Sequence, residues 1–162
     1  MIINKACKLV LPVFLILAGF VFGEEATWPA FNGANHDNIS PDKGLLKEWP
    51  AEGPKLLWKF DNCGNGYSSA TVADGKVFIA GDIKKDTIIS ALDLKGNLLW
   101  QQKNGSASTM QWGGSRGSVV YSDGMVYQIN GNGRLGAFNA NDGKEVWFVS
   151  LTGEELKGKA GR

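Results

Sequence analysis

Very few residues of this chain are of a type that carries out acid–base, nucleophilic or metal chemistry. The 162-residue sequence contains one histidine, His36, and two cysteines, Cys7 and Cys63. A histidine-based triad or a zinc site assembled within the chain needs more of these side chains. Cys7 lies in a segment that we expect to be removed, which would leave Cys63 alone and rule out an internal disulfide. We therefore assign no catalytic residue and no metal site from the sequence.

The acidic and glycine-rich stretches have a simpler interpretation as turns. Asp74, Asp123 and Asp142 are each followed by glycine and separate short apolar runs. Asp-Gly pairs favour the positive φ that tight hairpins need. The glycine-rich stretches at residues 113–117 and 131–134 are not followed by a helical pattern, so we do not expect them to cradle a phosphate.

Two irregular segments hold the side chains best suited to bind a ligand. Residues 106–117, SASTMQWGGSRG, contain Trp112 and Arg116, which could stack on or pair with a ligand. The earlier segment DNCGNGYSS contains Cys63 and Tyr67. Each segment leads into an apolar run, and the fold argued below brings such connections to one end of a central channel. Ordinary packing of these side chains is the alternative interpretation.

The N-terminus has the pattern of a secretory signal peptide. Lys5 and Lys8 precede an almost wholly apolar run at residues 9–22, and the small Gly23 suits a cleavage site. A membrane anchor is the alternative, but the run is shorter than the roughly 20 residues that a spanning helix needs. A lipoprotein would carry a cysteine where Phe20 stands. We expect cleavage after Gly23 and a periplasmic or secreted protein with no membrane span in the mature chain.

The charge of the exported part argues against nucleic acid as a partner. Loss of Lys5 and Lys8 takes the basic residues from 17 to 15, against 16 acidic ones. Such a balance provides no basic surface for a phosphate backbone. The partner that we expect is instead a protein of the cell envelope or a small-molecule ligand.

The rest of the sequence repeats itself. Trp58, Trp100 and Trp147 each follow an aliphatic residue and lie 42 and 47 residues apart. Between them, SSATVADGKVFIAG aligns with GSVVYSDGMVYQIN, and IISALDLKGNLLW aligns with RLGAFNANDGKEVW. A repeat of this length is typical of propeller blades.

Each repeat predicts four short antiparallel strands. The runs are rich in Val, Ile, Tyr and Phe and are separated by Gly-containing turns. In the second repeat the predicted strands are residues 117–122, 125–130, 134–139 and 145–150. A sandwich or barrel also has short strands, but it gives no reason for the same Trp to return at this interval. The sequence therefore predicts an all-β fold of four-stranded antiparallel β-propeller blades.

One motif closes both repeats. Its residues are Ala91, Asp93, Gly96 and Trp100 in the first repeat, and Ala137, Asn139, Gly143 and Trp147 in the second. We expect the Trp to fill the space between neighbouring blades, since an indole buries about 150–250 Å². The Ala would leave room for that ring, and the polar residue and Gly would close the hairpin between the third and fourth strands.

These residues resemble the tryptophan-docking motif of the pyrroloquinoline-quinone-like (PQQ-like, or quinoprotein-like) β-propellers. The usual form of that motif has Asp at the third position and Thr before the Gly, where this chain has Asn139 and Asp142. Residues 28–50 begin Trp-Pro-x-Phe-x-Gly and are similar to the lead-in of exported bacterial members. The resemblance divides the chain into a signal peptide at residues 1–23, a lead-in at 24–54 and a partial propeller at 55–162.

The number of repeats is small for a closed ring. A propeller has about four to eight blades, whereas this sequence supplies two complete repeats. We therefore expect an N-terminal fragment of a longer protein with about eight blades.

The resemblance implies two classes of function. Quinoprotein dehydrogenases hold PQQ and a calcium ion in the propeller and oxidise alcohols or sugars. No residue here matches their Cys-Cys pair or their quinone and calcium ligands, which would have to lie in missing blades. The other class keeps the scaffold without the cofactor and uses it for protein contacts, as in the outer-membrane assembly scaffold of the bacterial envelope. We favour an exported binding or scaffold module, keep the PQQ-dependent dehydrogenase as the alternative, and assign no cofactor.

Overall fold

The computed structural model describes residues 27–109 and 112–152. Within these ranges the chain forms eight strands and no helix: β1 Thr71–Ala73, β2 Lys76–Ile83, β3 Asp86–Asp93, β4 Leu98–Ser106, β5 Val120–Ser122, β6 Met125–Ile129, β7 Arg134–Asn139 and β8 Glu145–Ser150. None of the described segments is a helix long and apolar enough to cross a membrane. The predicted signal peptide, residues 1–23, and its cleavage site after Gly23 lie outside the described residues.

The strands form two four-stranded antiparallel sheets, each a simple meander. The first sheet has the order β1-β2-β3-β4 and the second has the order β5-β6-β7-β8. This arrangement confirms the predicted all-β fold of four-stranded antiparallel blades, and we call the two sheets blade 1 and blade 2. The total of about eight blades stays a prediction.

Two predicted strand boundaries in blade 2 differ from the structure. Strand β5 begins at Val120 and not at residue 117, and β6 ends at Ile129, one residue early. Asn130 belongs to the following turn, because its side-chain oxygen accepts hydrogen bonds from the backbone N–H groups of Asn132 and Arg134 at 3.0 and 2.9 Å. A side chain that holds a turn in this way competes with strand pairing.

The Asp-Gly pairs at the β1–β2 and β5–β6 turns have the geometry that the sequence predicts. Asp74 and Gly75 have φ of 52° and 66°, and Asp123 and Gly124 have φ of 50° and 76°. Two successive residues with positive φ are the signature of a type I′ hairpin turn. The third pair differs, because there only Gly143 has positive φ, at 70°.

The hydrophobic core lies between the blades. Phe78 and Ile89 of blade 1 form one buried cluster with Val119, Val126 and Phe138 of blade 2. The rings of Trp100 and Tyr121 pack against the cluster, with centroids 6.0 and 6.2 Å from that of Phe78. Burial of one such side chain stabilises a fold by about 1.5–3 kcal/mol. Because the cluster is shared, neither blade has a separate core.

The lead-in touches the first strand of both blades. Trp28 exchanges two backbone hydrogen bonds with Val72 of β1, at 2.6 and 3.0 Å. The next carbonyl, of Pro29, accepts the N–H of Tyr121 in β5 at 2.8 Å. The start of the lead-in therefore ties the two innermost strands together.

Candidate functional site

The meander places different turns at the two ends of the blades. The β1–β2 and β3–β4 turns lie at one end, and the β2–β3 turn and the connection from β4 to β5 lie at the other. We call the first the docking end, because it carries the β3–β4 turn at residues 93–97 and, in blade 2, the β7–β8 turn at residues 139–144. We call the second the mouth; among the described residues it is formed by residues 61–67, 82–86, 107–109 and 112–117.

At the docking end, Trp100 of blade 1 packs on a turn of blade 2. Its indole N–H donates to the carbonyl oxygen of Ala140 at 3.1 Å. Its ring lies against Gly143 so closely that a Cβ there would come 2.6 Å from the ring carbon Cε3. Gly143 therefore serves two purposes. It allows the turn, and its lack of a side chain leaves the space that the Trp100 indole occupies.

Trp58 makes the same contact one step earlier in the chain. Its N–H donates to the carbonyl oxygen of Leu94 at 3.0 Å, and a Cβ on Gly96 would come 2.6 Å from its ring carbon Cδ2. The sequence pattern included Trp58 in the Trp spacing but assigned it no docking role. The shared "LLW" of residues 56–58 and 98–100 was the signal that could have found it.

The other motif residues shape the same turns. Ala91 is the cross-strand partner of Trp100, and Ala137 is that of Trp147; both alanines are fully buried. Asp93 accepts the backbone N–H groups of Lys95 and Asn97, each at 2.8 Å. The Asn97 side chain also donates to Asp93 at 2.8 Å, and this bond lowers the pKa of the Asp93 carboxyl below its ordinary value.

Asn139 occupies the position of Asp93 in blade 2. Its side-chain oxygen accepts the backbone N–H of Asn141 at 2.8 Å. The neighbouring carboxyl of Asp142 forms an ion pair with Lys144 at 2.9 Å, and its hydrogen bonds to Lys144 lower its pKa. The two docking turns thus share their shape but not their titratable groups.

Trp147 presents the same ring without an acceptor turn among the described residues. Its side chain is 42% exposed and contacts Tyr127 of its own blade, with ring centroids 6.0 Å apart. Val146, Phe148 and Val149 beside it on β8 are also exposed. The outer part of blade 2 is therefore an apolar surface that carries the Trp of the second motif, whose docking role stays a prediction.

A buried polar network joins β4 of blade 1 to blade 2. The side-chain amide of Asn104 donates to both oxygens of Gln128, and its oxygen accepts from Arg134 at 2.5 Å. Arg134 also pairs with Glu145 at 2.5 Å and lies over the ring of Phe148, 4.1 Å from its centroid. No signal in the sequence indicated this network, because its residues come from separate strands and follow no motif.

At the mouth, the three predicted ligand residues lie together. The guanidinium of Arg116 lies over the ring of Tyr67, 5.6 Å from its centroid, and donates to the backbone carbonyl of Trp112 at 3.0 Å. Tyr67 and Trp112 are each 67% exposed. The two segments are brought side by side by a parallel bridge between Gly66 and Ser115, whose carbonyl accepts the N–H of Tyr67 at 2.7 Å.

A polar cleft of about 540 Å³ opens at the mouth and includes Tyr67 in its lining. It is lined by Asn65, Gly66, Tyr67, Asp82, Lys84, Ala107, Ser108, Gly113 and Gly114. Asp82 is 9% exposed, and its carboxylate accepts the hydroxyl of Thr87 at 2.8 Å. Cys63 is half-buried and does not line the cleft. The sequence pattern did not identify Asp82 or Lys84.

The residues at the mouth do not fit a calcium-bound quinone. A calcium ion takes six to eight oxygen ligands, with several carboxylates among them. Asp82 is the one carboxylate among the residues that line the cleft, and the described ranges contain no group of three or more His, Cys, Asp or Glu residues that could hold a metal. We therefore derive no chemistry from PQQ or calcium at this mouth.

Comparison with known proteins gives a family and a set of solved structures. The family model described as "Outer membrane protein assembly factor BamB" matches residues 29–159. The chain is similar to a europium-containing methanol dehydrogenase, with 20% identity, a TM-score of 0.46, and coverage of 59% of this chain and 18% of that one. It is also similar to the quinohemoprotein alcohol dehydrogenase from Comamonas testosteroni, with 24% identity, a TM-score of 0.45, and coverage of 61% and 16%. The chain thus spans less than a fifth of these structures. No curated protein matches it.

Proposed function

Since the chain belongs to the PQQ-like repeat family of the outer membrane protein assembly factor BamB, we propose that it is part of an exported β-propeller that works as a binding scaffold and not as a dehydrogenase. The family match identifies the repeats as PQQ-like, and it is compatible with an exported protein. The docking contacts between the blades support the scaffold role.

The repeated docking contact carries the proposal. Trp58 and Trp100 each donate to a turn carbonyl of the following blade and each occupy the space above a turn Gly. Residues 55–60 therefore occupy the position of a fourth strand before blade 1. They pair with no strand of the described chain, and Leu56 and Leu57 are 75% and 81% exposed. Trp147 exposes the same ring at the opposite side. Both sides of the two-blade unit are therefore suited to further blades or to a protein partner.

A photo-crosslinking residue at position 147 tests this scaffold role. We expect the crosslinked product to carry a turn of the same motif, with a Gly in the place of Gly143. The same residue at position 58 is the matched control, since it should crosslink to the Leu94–Gly96 turn of its own chain. A crosslink at position 58 combined with none at position 147 would contradict the proposal.

The non-catalytic part of the proposal has its own test. PQQ and calcium should leave the melting temperature of the full chain unchanged and should give no dye-linked oxidation of alcohols or sugars. A rise in melting temperature that requires both additions, or turnover above a protein-free control, would instead support the dehydrogenase.

A further inference from the structure

At the mouth, the carboxylates of Asp61 and Asp86 are paired with Lys59 and Lys103, whereas three exposed cations are unpaired. Lys84, Lys85 and Arg116 are exposed there, and none of them forms an ion pair within the described residues. Among the residues that line the cleft, Asp82 is the one acidic and Lys84 the one basic side chain, and Lys85 and Arg116 lie outside that lining. By contrast, the lysines at positions 59, 76, 103 and 144 are each paired with a carboxylate at 2.8–2.9 Å. Three of the unpaired cations of the described chain thus lie at the mouth, and one of them, Lys84, lines the cleft.

Lys84 holds a backbone conformation that favours glycine. It is the first of the two loop residues between Ile83 and Asp86, which pair in the β2–β3 hairpin, and its φ is 56°. Positive φ at the first loop position alone is the pattern of a type II′ turn, where glycine is the preferred residue. Asp74 and Asp123 also have positive φ, but they occupy Asp-Gly turns that suit them. A lysine at this position is locally unfavourable and places an ammonium group beside the cleft.

Two aromatic rings flank the same cations. Arg116 is held by the carbonyl of Trp112 and lies over one face of Tyr67. Both residues are 67% exposed, so they offer apolar faces to a ligand beside the charges. Exposed aromatic residues and arginine are the side chains most enriched where proteins recognise other proteins.

The buried carboxylate limits which anion can bind. Asp82 is 9% exposed and lines the cleft. A small inorganic anion in the cleft would approach this carboxylate and be repelled by it. A peptide avoids the conflict, because its backbone N–H groups can donate to Asp82 while its acidic side chains reach Lys84 and Arg116.

From these observations we propose that the mouth binds an acidic peptide segment of a partner protein. This inference deepens the proposed scaffold role and rests on it. It can fail separately, since loss of peptide binding leaves the crosslink at position 147 unaffected.

Fluorescence anisotropy with labelled peptides tests the proposal on the full chain. The probe is a terminally blocked peptide with consecutive glutamates in a Gly/Ser frame, and the comparison peptides carry lysine or glutamine in their place. We expect the glutamate peptide to bind, the other two to bind at least about tenfold more weakly, and the affinity to fall as salt is raised. Equal affinity for the three peptides would overturn the proposal. It would also be overturned if inorganic phosphate displaced the labelled peptide at the same concentration at which unlabelled glutamate peptide does.

Variants at the mouth separate binding from stability. Lys84→Gly should bind the glutamate peptide about tenfold more weakly, while its melting temperature should not fall, because glycine suits the turn. Lys84→Gln keeps the side-chain length and should show the same loss of affinity. Lys95→Gln, at the docking end, is the matched control and should bind like the unmodified chain. Unchanged affinity in both Lys84 variants would refute the assignment.

Discussion

The indole N–H of Trp100 lies 3.1 Å from the carbonyl oxygen of Ala140, and its ring fills the space above Gly143. The donor belongs to the fourth strand of blade 1, and the acceptor belongs to a turn of blade 2. Trp58 repeats this relationship with Leu94 and Gly96. The docking motif therefore joins neighbouring repeats, and each repeat supplies a Trp on one side and a Gly turn on the other.

Gly143→Ala should weaken this contact. The new Cβ would lie 2.6 Å from the Trp100 ring, in a residue whose φ is +70°. We expect the free energy of unfolding, measured by urea titration, to fall by about 1–3 kcal/mol more than for Gly124→Ala. Gly124 is the matched control, because its φ of +76° is similar and no atom lies within 4 Å of its added Cβ. Equal losses in the two variants would show that backbone conformation alone matters at Gly143.

The docked and undocked Trp residues should differ in their contribution to stability. Trp100→Ala removes a half-buried ring from the seam and should cost about 3 kcal/mol. Trp147→Ala should cost about 1 kcal/mol or less in this two-blade chain, because its ring is 42% exposed. In an intact propeller, where a following blade would cover the ring, the cost at position 147 should rise to about 3–5 kcal/mol. Chemical unfolding of both variants measures the difference, and equal losses in the two-blade chain would argue against it.

Asn104→Ala should destabilise the seam through its polar network. The change leaves both Gln128 oxygens without the Asn104 amide in a buried site, and one part-buried Arg134 N–H without its acceptor. Unsatisfied groups of this kind cost about 1–3 kcal/mol each, and we expect a loss of about 3 kcal/mol in urea unfolding. Asn132→Ala is the control, because its exposed side chain donates only to the nearby carbonyls of Ser106 and Ala107. A small effect at Asn104 would mean that water replaces its hydrogen bonds.

Acidification should loosen the turn that accepts Trp58, because it protonates Asp93. Hydrogen bonds from Asn97 lower the pKa of Asp93 below its ordinary value of 3.8. A carboxyl with a lowered folded-state pKa contributes stability above pH 3.8, and this stability is lost as the pH falls through the folded-state pKa. Asp93→Asn gives blade 1 the residue that blade 2 has at position 139, and it should remove this part of the pH dependence. Thermal unfolding of both chains from pH 5 to pH 2 makes the comparison; parallel curves would exclude Asp93 as the cause.

The sequence determined the blades because their signals are local. Apolar runs and the Asp-Gly turns between them lie within a few residues of one another, so they indicated strands and hairpins. The interval between Trp58, Trp100 and Trp147 indicated the length of the repeat. The family match and the two meanders confirm that interpretation. The end of β6 at Ile129 was missed because the Asn130 side chain, and not the hydrophobic pattern, ends the pairing.

Only the tertiary structure decided which residues meet across the seam and at the mouth. Trp100 could not be assigned to Gly143, nor Asn104 to Arg134, because these partners are 30 or more residues apart and each belongs to a different repeat. Arg116 reaches Tyr67 because the Gly66–Ser115 bridge aligns two connections that have no pattern of their own. Hydrophobic periodicity indicates which side of a strand faces the core. The packing of one sheet on the next depends on side-chain shapes and hydrogen bonds between distant residues, and a single sequence does not show which of these residues meet.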